Sequence, residues 1–455
     1  MTPRGCLWFD QLGDEADRRR PPLDGDEDAD VCVVGGGFTG LWTARWLLAA
    51  EPSLRVLVVE AETAGFGASG RNGGWASALF PRSAQSLARS HGRPAAAAMR
   101  QAMRAAVRDL GTTASRDGID CDYRRGGTVV VARSAPQLER ARAEVAAARL
   151  FGVDELHLLD AGEVSELVAV AGAVGGTWTP DCARVQPAKL VRGLARAVER
   201  RGGRVVEGTR ALEVSPGRVR THRGTVRCEH VVVATEAWTA GLAGRRRDVV
   251  PVYSLIVATE PLEEATWSRI GLAAGQTFSE HRHLVVYGQR TADGRLVFGG
   301  RGAPYHFGSR IRPRFDDDTG VFAWLRREVT GMFPVLDGVR FTHAWGGPLG
   351  IPRDWHASVR YDPATRIGAA GGYVGDGVTT SFLAGRTLAE LVLRRDTERT
   401  RLPWVNHPVR RWEPEPLRWV GVNAGLRLAA WADAEERLTR RPSRLARPLA
   451  ALTGH

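Results

Sequence analysis

The chain has 455 residues, of which 43% are hydrophobic and 25% are charged, a composition typical of a globular protein with more than one domain. No apolar run approaches the roughly 18 residues that a membrane span requires, so we expect no transmembrane segment. The net charge of +12 arises from arginines dispersed along the chain, with Lys189 as the one lysine, so we expect no nucleic-acid partner.

The first elements in chain order are a strand, a glycine turn, a helix and a second strand over residues 30–60. Short apolar runs at 31–34 and 56–59 predict the two strands. Residues 41–50 predict the helix between them. This order is that of one βαβ unit of a parallel sheet.

The turn of this unit carries Gly35, Gly37 and Gly40 in the pattern GxGxxG. These glycines permit a tight turn, close approach of a pyrophosphate, and close packing of helix on strand. Glu60 follows the second strand, where a carboxylate can accept hydrogen bonds from ribose hydroxyls. The unit therefore predicts a bound dinucleotide.

The middle of the chain alternates loops, helices and strands. Residues 64–75 are rich in Gly, Ser and Asn and predict a loop. The helices predicted after it cover 85–117, 135–150 and 187–201. The predicted strands cover 126–132, 204–207, 211–214, 219–221, 225–227 and 230–235. Short apolar runs over 249–340 predict a large antiparallel sheet.

The last core unit is a strand, a glycine loop and a helix over residues 367–392. Residues 404–416 are rich in Pro and Trp, and residues 417–438 predict an amphipathic helix. Because insertions separate the units of the parallel sheet, as in flavoproteins, we expect an α/β fold (α+β overall) with a discontinuous Rossmann-like FAD-binding domain. The predicted domains are an N-terminal arm at 1–28, the FAD-binding domain at 29–85, 155–245 and 345–400, a substrate-binding domain built on the antiparallel sheet at 86–154 and 246–344, and a C-terminal helical extension at 401–455.

The cysteines and the N-terminal residues indicate which cellular compartment to expect. The five cysteines are scattered, with no CxxC and no His/Cys cluster, so we expect no disulfide framework and no metal site. The arginines at 18–20 precede acidic residues rather than an apolar segment. No export signal is therefore predicted, and the expected location is the cytoplasm.

Three motifs resemble those of the FAD-dependent amine and amino-acid oxidoreductases of the D-amino-acid oxidase superfamily. They are GGGFTG at 35–40 with Glu60, GASGRNGG at 67–74, and GGYVGDGVTTS at 371–381. The second and third motifs resemble the γ-glutamylputrescine oxidase branch. The glycine unit and this resemblance together imply that FAD is held by Gly35, Gly37, Phe38, Thr39, Gly40, Glu60, Ala61, Gly67, Ser69, Arg71, Asn72, Gly73, Gly74, Leu212, Thr235, Trp238, Gly372, Tyr373, Gly375, Asp376, Gly377, Val378 and Thr379.

The third motif suits a flavin on physical grounds. A reduced flavin carries negative charge near N1 and the C2 oxygen, which backbone N–H groups and a helix N-terminus stabilise. The alternative is an ordinary strand-to-helix turn of a doubly wound sheet. Asp376 stands where many relatives have a histidine, which suggests recognition of a cationic amine, although a solvated turn aspartate would look the same.

The substrate pocket is expected on the antiparallel sheet, and no catalytic residue is assigned. The candidate lining residues are Tyr253, His281, His283, Tyr287, Arg301 and Trp345, together with Asp376. Each has a plain alternative as a core aromatic or an exposed strand residue. Arg301 would suit a substrate carboxylate through bidentate pairing.

The resemblance implies oxidation of a C–N bond of an amine or amino acid by hydride transfer to flavin N5, followed by imine hydrolysis. O₂ reduced to H₂O₂ is the expected acceptor; a dehydrogenase that uses a quinone or carrier protein is the alternative. A flavoprotein in which FAD is structural is a third reading. Lys189 is expected to face solvent, although a lysine near the flavin promotes reaction with oxygen in sarcosine-oxidase-like members. FAD is expected to be noncovalent, because 67–74 contains no His or Cys and no cysteine follows Cys228.

Overall fold

The structure is a computed structural model that describes residues 5–446. Residues 1–4 of the predicted N-terminal arm and 447–455 of the predicted C-terminal extension lie outside the described residues. The helices are α1 (Leu7–Asp10), α2 (Phe38–Ala50), α3 (Ala68–Arg71), α4 (Ala84–His91), α5 (Arg93–Arg116), α6 (Ala135–Arg149), α7 (Ala161–Leu167), α8 (Pro187–Arg200), α9 (Glu264–Ile270), α10 (Thr319–Met332), α11 (Gly377–Val392) and α12 (Leu417–Thr439). The strands are β1 (Glu27–Val34), β2 (Val56–Val59), β3 (Trp75–Ser77), β4 (Thr128–Ala132), β5 (His157–Leu159), β6 (Gly175–Thr179), β7 (Cys182–Arg184), β8 (Arg204–Val206), β9 (Ala211–Ser215), β10 (Arg218–Thr221), β11 (Thr225–Val233), β12 (Val250–Thr259), β13 (Thr277–Glu280), β14 (Val286–Arg290), β15 (Leu296–Arg301), β16 (Phe341–Ile351), β17 (Ser358–Asp362) and β18 (Ile367–Gly371).

One eight-stranded sheet is mostly parallel, with the order β17-β18-β11-β1-β2-β8, and β10 and β9 extend antiparallel from β11. Its centre is β1, where Val33 lies opposite Val58 of β2 and Val232 of β11. These valines are fully buried because helices cover the sheet, which explains the continuous apolar runs in the sequence. The predicted Rossmann-like α/β fold is confirmed.

A second eight-stranded sheet has the order β16-β12-β15-β14-β13-β4-β6-β5, and its pairs are antiparallel except for β13 with β4. The strands β5 and β6 pair here, although residues 155–245 were assigned to the FAD-binding domain. Strand β16 likewise joins this sheet through its whole pairing with β12, across the predicted boundary at 345. The sequence misses these memberships because a strand carries no local signal for the sheet it joins, whether it is short like β5 or long like β16.

Two predicted elements have different boundaries in the structure. The helix predicted at 85–117 is divided into α4 and α5, because Gly92 has a φ of +86° and Pro94 lies in the first turn of the second helix. The strands predicted at 225–227 and 230–235 form the single strand β11. The segment 64–75, predicted to be a loop, contains the one-turn helix α3. The boundaries of the other predicted elements differ by only a few residues.

The two ends of the described chain are packed against the rest. Trp8 and Phe9 of α1 are almost fully buried, as is Trp404 of the Pro- and Trp-rich segment. Helix α12 forms where the amphipathic pattern predicted it. Within residues 5–446, no helix is long and apolar enough to cross a bilayer.

Candidate cofactor and substrate site

A long cleft opens at the carboxyl ends of β1, β2 and β11, where ligands bind in open α/β sheets. Its empty volume is about 1510 Å³, part of which is open to solvent. Most residues predicted to hold FAD line it: Gly35, Gly37, Phe38, Thr39, Glu60, Ala61, Gly67, Ser69, Asn72, Leu212, Thr235, Trp238, Tyr373, Gly375, Gly377 and Val378. Lining residues that the sequence analysis did not name include Glu62, Phe66, Thr209, Arg210, Glu236, Leu242, Leu349 and Ser381.

Two helix N-termini, those of α2 and α11, face this cleft. Thr39 in the first turn of α2 and Tyr373 before α11 share a 2.9 Å hydrogen bond between their hydroxyl oxygens. This bond joins the first and third glycine motifs directly. Helix N-termini present backbone N–H groups and a partial positive charge, so the cleft suits an anionic ligand.

The glycine turn is shaped by close backbone approach. Gly35 has a φ of +112°, and a Cβ there would overlap the carbonyl oxygen of Ala234. A Cβ on Gly37 would lie 2.9 Å from Ser69 Oγ, which accepts a 2.8 Å hydrogen bond from the backbone N–H of Phe38. Gly40 does not line the cleft; it sits inside α2 so closely against the Gly35 carbonyl that a side chain would not fit.

Glu60 lies in the cleft with both carboxylate oxygens held by backbone. Gly36 donates to Oε2 at 2.7 Å and Glu62 donates to Oε1 at 2.8 Å. Burial nevertheless raises the pKa of Glu60 to about 7, because these bonds only partly offset desolvation. Burial also raises the pKa of Glu236 in the cleft to about 7, although its Oε2 accepts a bond from Gly350.

The loop at 67–74 divides between the cleft and the second sheet. Arg71 does not line the cleft; it forms a 2.7 Å ion pair with Asp316 and donates to the carbonyl of Gly346. Gly73 and Gly74 pack against Tyr287 and Gln289, where side chains would clash. The buried charge of Arg71 is thus paired with the half-buried Asp316, a contact that no local sequence pattern predicts. The two glycines permit close packing on the second sheet.

Two indoles hold this loop from behind. Trp345 donates to the carbonyl of Arg71 at 2.9 Å, and Trp8 donates to the carbonyl of Asn72 at 2.8 Å. The two rings meet edge to face with centroids 6.0 Å apart. Trp345 is therefore a support of the loop rather than a wall of a substrate pocket, and the part played by Trp8 was missed.

Two of the predicted substrate residues, Arg301 and Asp376, lie beside Gly375, and a third, Tyr287, bonds to Ser254, the residue opposite Arg301. Arg301 donates to the carbonyl of Val374, and its Nη2 lies 3.1 Å from where a Gly375 Cβ would be. The Tyr287 hydroxyl bonds to Ser254 Oγ at 2.9 Å. We call Tyr287, Arg301 and Asp376 the polar corner.

The charges within the polar corner act on one another. Burial raises the pKa of Asp376 to about 6, and the Arg301 charge opposes that shift. Burial also lowers the pKa of Arg301, and the carboxylate of Asp376 opposes that shift. Asp376 itself does not line the cleft, although Gly375 and Gly377 on either side do.

Two predicted substrate residues, His281 and His283, belong elsewhere. They lie between β13 and β14, where His281 contacts Thr177 and His283 Nε2 lies 3.1 Å from a carboxylate oxygen of Glu436 in α12. The alternating strand pattern could not show that this turn meets the C-terminal helix. Burial lowers the pKa of His281 to about 4.

The remaining candidates also differ from expectation. Tyr253 is fully buried among aromatic rings, with no hydrogen-bond partner for its hydroxyl in the described structure. Lys189, expected to face solvent, is half-buried and forms a 3.0 Å ion pair with Asp122. Gly372 and Thr379 do not line the cleft; Gly372 borders a smaller cavity behind it.

The cleft has the features that FAD requires. Glycine-lined backbone and two helix N-termini suit a pyrophosphate and an anionic ring, and Glu60 suits an adenosine ribose. No cysteine or histidine is among the described residues that line the cleft.

Comparison with known proteins agrees with this geometry. The sequence profile of the family described as FAD dependent oxidoreductase matches residues 30–391. The chain is 34% identical over 379 residues to gamma-glutamylputrescine oxidoreductase from Escherichia coli strain K12, covering 81% of this chain and 84% of that protein. It is 26% identical over 382 residues to glycine oxidase from Geobacillus kaustophilus strain HTA426, covering 81% of this chain and 94% of that protein.

Solved structures show the same fold. The crystal structure of glycine oxidase from Geobacillus kaustophilus superposes with a TM-score of 0.71 at 24% identity, covering 84% of this chain and 100% of that chain. L-proline dehydrogenase from P. horikoshii superposes with a TM-score of 0.68 at 19% identity, covering 84% of this chain and 96% of that chain. At these identities the structural likeness bears on the fold alone.

Proposed function

Because the chain belongs to the family of FAD-dependent oxidoreductases, we propose that it oxidises the C–N bond of an amine or amino acid that carries a carboxylate. Membership in the family confirms the resemblance that the three motifs indicated. The identity of the substrate, the form of FAD binding and the acceptor belong to the proposal.

The observation that carries the proposal is the position of the polar corner. Arg301 and Asp376 lie beside Gly375, Tyr287 bonds to Ser254 opposite Arg301, and Gly375 lines the same cleft as the glycine turn and Glu60. A substrate at this corner would therefore lie against the flavin end of the cleft, with the nucleotide end toward Glu60. The proposed FAD site consists of the predicted residues that line the cleft.

The chain's own residues would bind and orient the substrate. Arg301 is placed to pair with a carboxylate, and Asp376 is placed to accept a hydrogen bond from the amine. The N-terminus of α11 would stabilise negative charge on the ring. Bound FAD would accept the hydride at N5 and pass the electrons on, and the product imine would hydrolyse in water.

A substrate with both charges is consistent with the relatives. The E. coli relative is named for γ-glutamylputrescine and the Geobacillus relative for glycine. Both molecules carry an amine and a carboxylate. Arg301 and Asp376 offer one group for each.

The lining of the cleft supports noncovalent binding of FAD, because no cysteine or histidine is among the described residues that line it. We expect acid precipitation to leave the protein colourless and the supernatant yellow. A yellow pellet with a colourless supernatant would show a covalent bond.

The acceptor is the point on which an oxidase and a dehydrogenase differ. Lys189 pairs with Asp122 and does not line the cleft. It therefore does not take the place of the lysine that promotes reaction with oxygen in sarcosine-oxidase-like proteins. This favours keeping a quinone- or carrier-coupled dehydrogenase as a second candidate. Readmission of O₂ to the reduced enzyme separates them.

The test is anaerobic bleaching of the flavin with a panel of matched ligands. The panel pairs γ-glutamylated diamines, glycine and N-methyl amino acids with the same amines lacking the carboxylate. We expect bleaching by a carboxylate-bearing amine and weaker bleaching by its decarboxylated partner. Timed addition of O₂ then restores the absorbance rapidly for an oxidase and slowly for a dehydrogenase.

A further inference from the structure

The C-terminal helix α12 has one side that is exposed along most of its length. Residues spaced three, four and seven apart share one side of a helix, and on α12 they form a line about 27 Å long. Every member of this line is exposed: Val420, Ala424, Arg427, Trp431 and Leu438. Leu438 is 85% exposed and Trp431 is 59% exposed. We call these five residues the outer line.

Large apolar side chains are exposed here more often than elsewhere in the described chain. Of 13 such residues, six lie between residues 417 and 445, and these include both of the exposed tryptophans. The six are Leu417, Trp419, Val420, Trp431, Leu438 and Leu445. Exposed apolar residues that are concentrated on one element mark an interaction surface.

The acidic residues of the same segment are engaged by the rest of the chain. Residues 402–446, all of which the structure describes, contain five acidic residues, of which two are buried and three are half-buried. Asp433 pairs with Arg282 at 3.2 Å, and Glu436 pairs with Arg140 at 2.7 Å. The other three bond to nearby side chains: Glu413 to Arg353, Glu415 to Arg418 and Glu435 to Ser443. The negative charges of this segment are therefore already paired or hydrogen-bonded.

The exposed charges of residues 402–446 are all positive. Seven arginines are exposed: Arg410, Arg411, Arg427, Arg437, Arg440, Arg441 and Arg444. Arg437 lies 3.8 Å from Glu328, and the other six have no carboxylate within ion-pair distance among the residues that the structure describes. A surface that is both apolar and basic matches a bilayer with anionic headgroups.

We propose that α12, with the residues that follow it up to 446, binds the surface of a membrane that contains anionic phospholipid. Trp431 and Leu438 would enter the boundary between headgroups and acyl chains, where tryptophan is enriched. The arginines would lay their apolar stems along the same boundary and pair with lipid phosphates. The helix would lie along the membrane surface rather than cross it.

A second copy of the chain fits this surface less well than lipid does. A two-fold pairing of outer lines would bring Arg427 of each copy against the basic segment of the other. Because the carboxylates of residues 402–446 are already engaged, the arginines of the two copies would repel one another. Anionic phospholipid supplies both an apolar layer and phosphates for the guanidinium groups.

The outer line lies close to the cleft. On the opposite side of α12, Val422 and Leu426 pack on the cluster that contains Val374. Val374 precedes Gly375 of the cleft, and its carbonyl accepts a hydrogen bond from Arg301 of the polar corner. The docked helix would therefore be one layer of side chains away from the polar corner. This inference does not rest on the proposed function, because lipid binding requires no turnover.

The test is co-sedimentation of the purified flavoprotein with two kinds of vesicle, with the bound fraction read from protein bands. One kind contains phosphatidylcholine alone, and the other contains equal parts of phosphatidylcholine and phosphatidylglycerol. We expect the protein to bind the anionic vesicles and to remain in the supernatant with the neutral ones. Binding to the anionic vesicles should weaken at high salt, because counterions screen the arginines.

Two variants of the outer line separate its charge from its apolar surface. Arg427→Glu reverses one charge and, at about 5-fold for each unit of charge, should weaken binding about 25-fold. Leu438→Ala should weaken it about 10-fold. The matched controls are Arg116→Glu and Leu150→Ala, which lie outside this segment and should bind as the wild type does. All four positions are exposed, so the flavin spectrum and the unfolding midpoint should not change.

The proposal is overturned if the wild type stays in the supernatant with anionic vesicles, if it binds both kinds of vesicle equally, or if the controls lose as much binding as the outer-line variants. A dimer in light scattering that Leu438→Ala converts to a monomer would show that a second copy covers the outer line, and would also contradict lipid docking. A flavin that no amine bleaches would refute the proposed function and leave these measurements unaffected.

Discussion

Replacing Glu60 by Gln tests the orientation of the nucleotide in the cleft. The carboxylate already accepts bonds from the backbone N–H groups of Gly36 and Glu62, and its remaining lone pairs would accept from the ribose. A hydrogen bond to a charged group contributes about 1.5–3 kcal/mol and a neutral one about 0.5–1.5 kcal/mol. The difference of about 1–2 kcal/mol corresponds to roughly 5- to 30-fold weaker FAD binding.

The pH dependence sharpens this prediction. The pKa of Glu60 is about 7 without ligand, so the wild-type carboxyl is ionised at pH 8 and largely neutral at pH 6. We expect the ratio of FAD dissociation constants, Glu60→Gln over wild type, to be largest at pH 8 and to shrink toward pH 6. Fluorescence titration of the apoprotein measures it, with the exposed Glu166→Gln as control. Equal affinities at pH 8 would refute a ribose contact by Glu60.

Three further predictions concern the corner, the loop and the turn. Asp376→Asn should raise KM for the amine. In the wild type, KM should rise below about pH 6, where the Asp376 carboxyl becomes neutral, and the variant should lack this pH dependence. A pH profile of KM that the substitution leaves unchanged would exclude contact between Asp376 and the amine. Trp345→Phe removes the bond to the Arg71 carbonyl and should lower stability by about 1 kcal/mol in urea unfolding, with FAD released more readily; an unchanged midpoint would argue against the support role. Gly35→Ala should prevent FAD retention on gel filtration, because φ is +112° and the methyl would overlap the Ala234 carbonyl; a yellow, folded variant would contradict this.

Local patterns were sufficient for the parts of the site that the backbone forms by itself. Gly35 predicts the turn because a side chain there would overlap the Ala234 carbonyl, and Glu60 follows a strand whose end is set by its apolar run. The valine-rich runs of β1 and β2 predict a buried parallel sheet. These features depend on neighbours within about 30 residues, so the sequence alone reveals them.

Contacts between distant segments could not be read in the same way. Arg71 was assigned to the cofactor by its motif, yet its charge is satisfied by Asp316 on the other side of the loop. Trp8 supports the same loop from the N-terminal arm. His283 Nε2 lies 3.1 Å from a carboxylate oxygen of Glu436 in the C-terminal helix. Each partner lies more than 60 residues away, and no periodicity or spacing encodes the pairing.

The most direct test of the proposed chemistry is an anaerobic single turnover with a carboxylate-bearing amine. The flavin should bleach fully with one equivalent of substrate, and one equivalent of carbonyl product should appear together with the released amine or ammonia. Asp376→Asn should bleach more slowly at the same substrate concentration. A flavin that stays oxidised with every member of the amine panel, or that bleaches without a carbonyl product, would contradict oxidation of a C–N bond at this site.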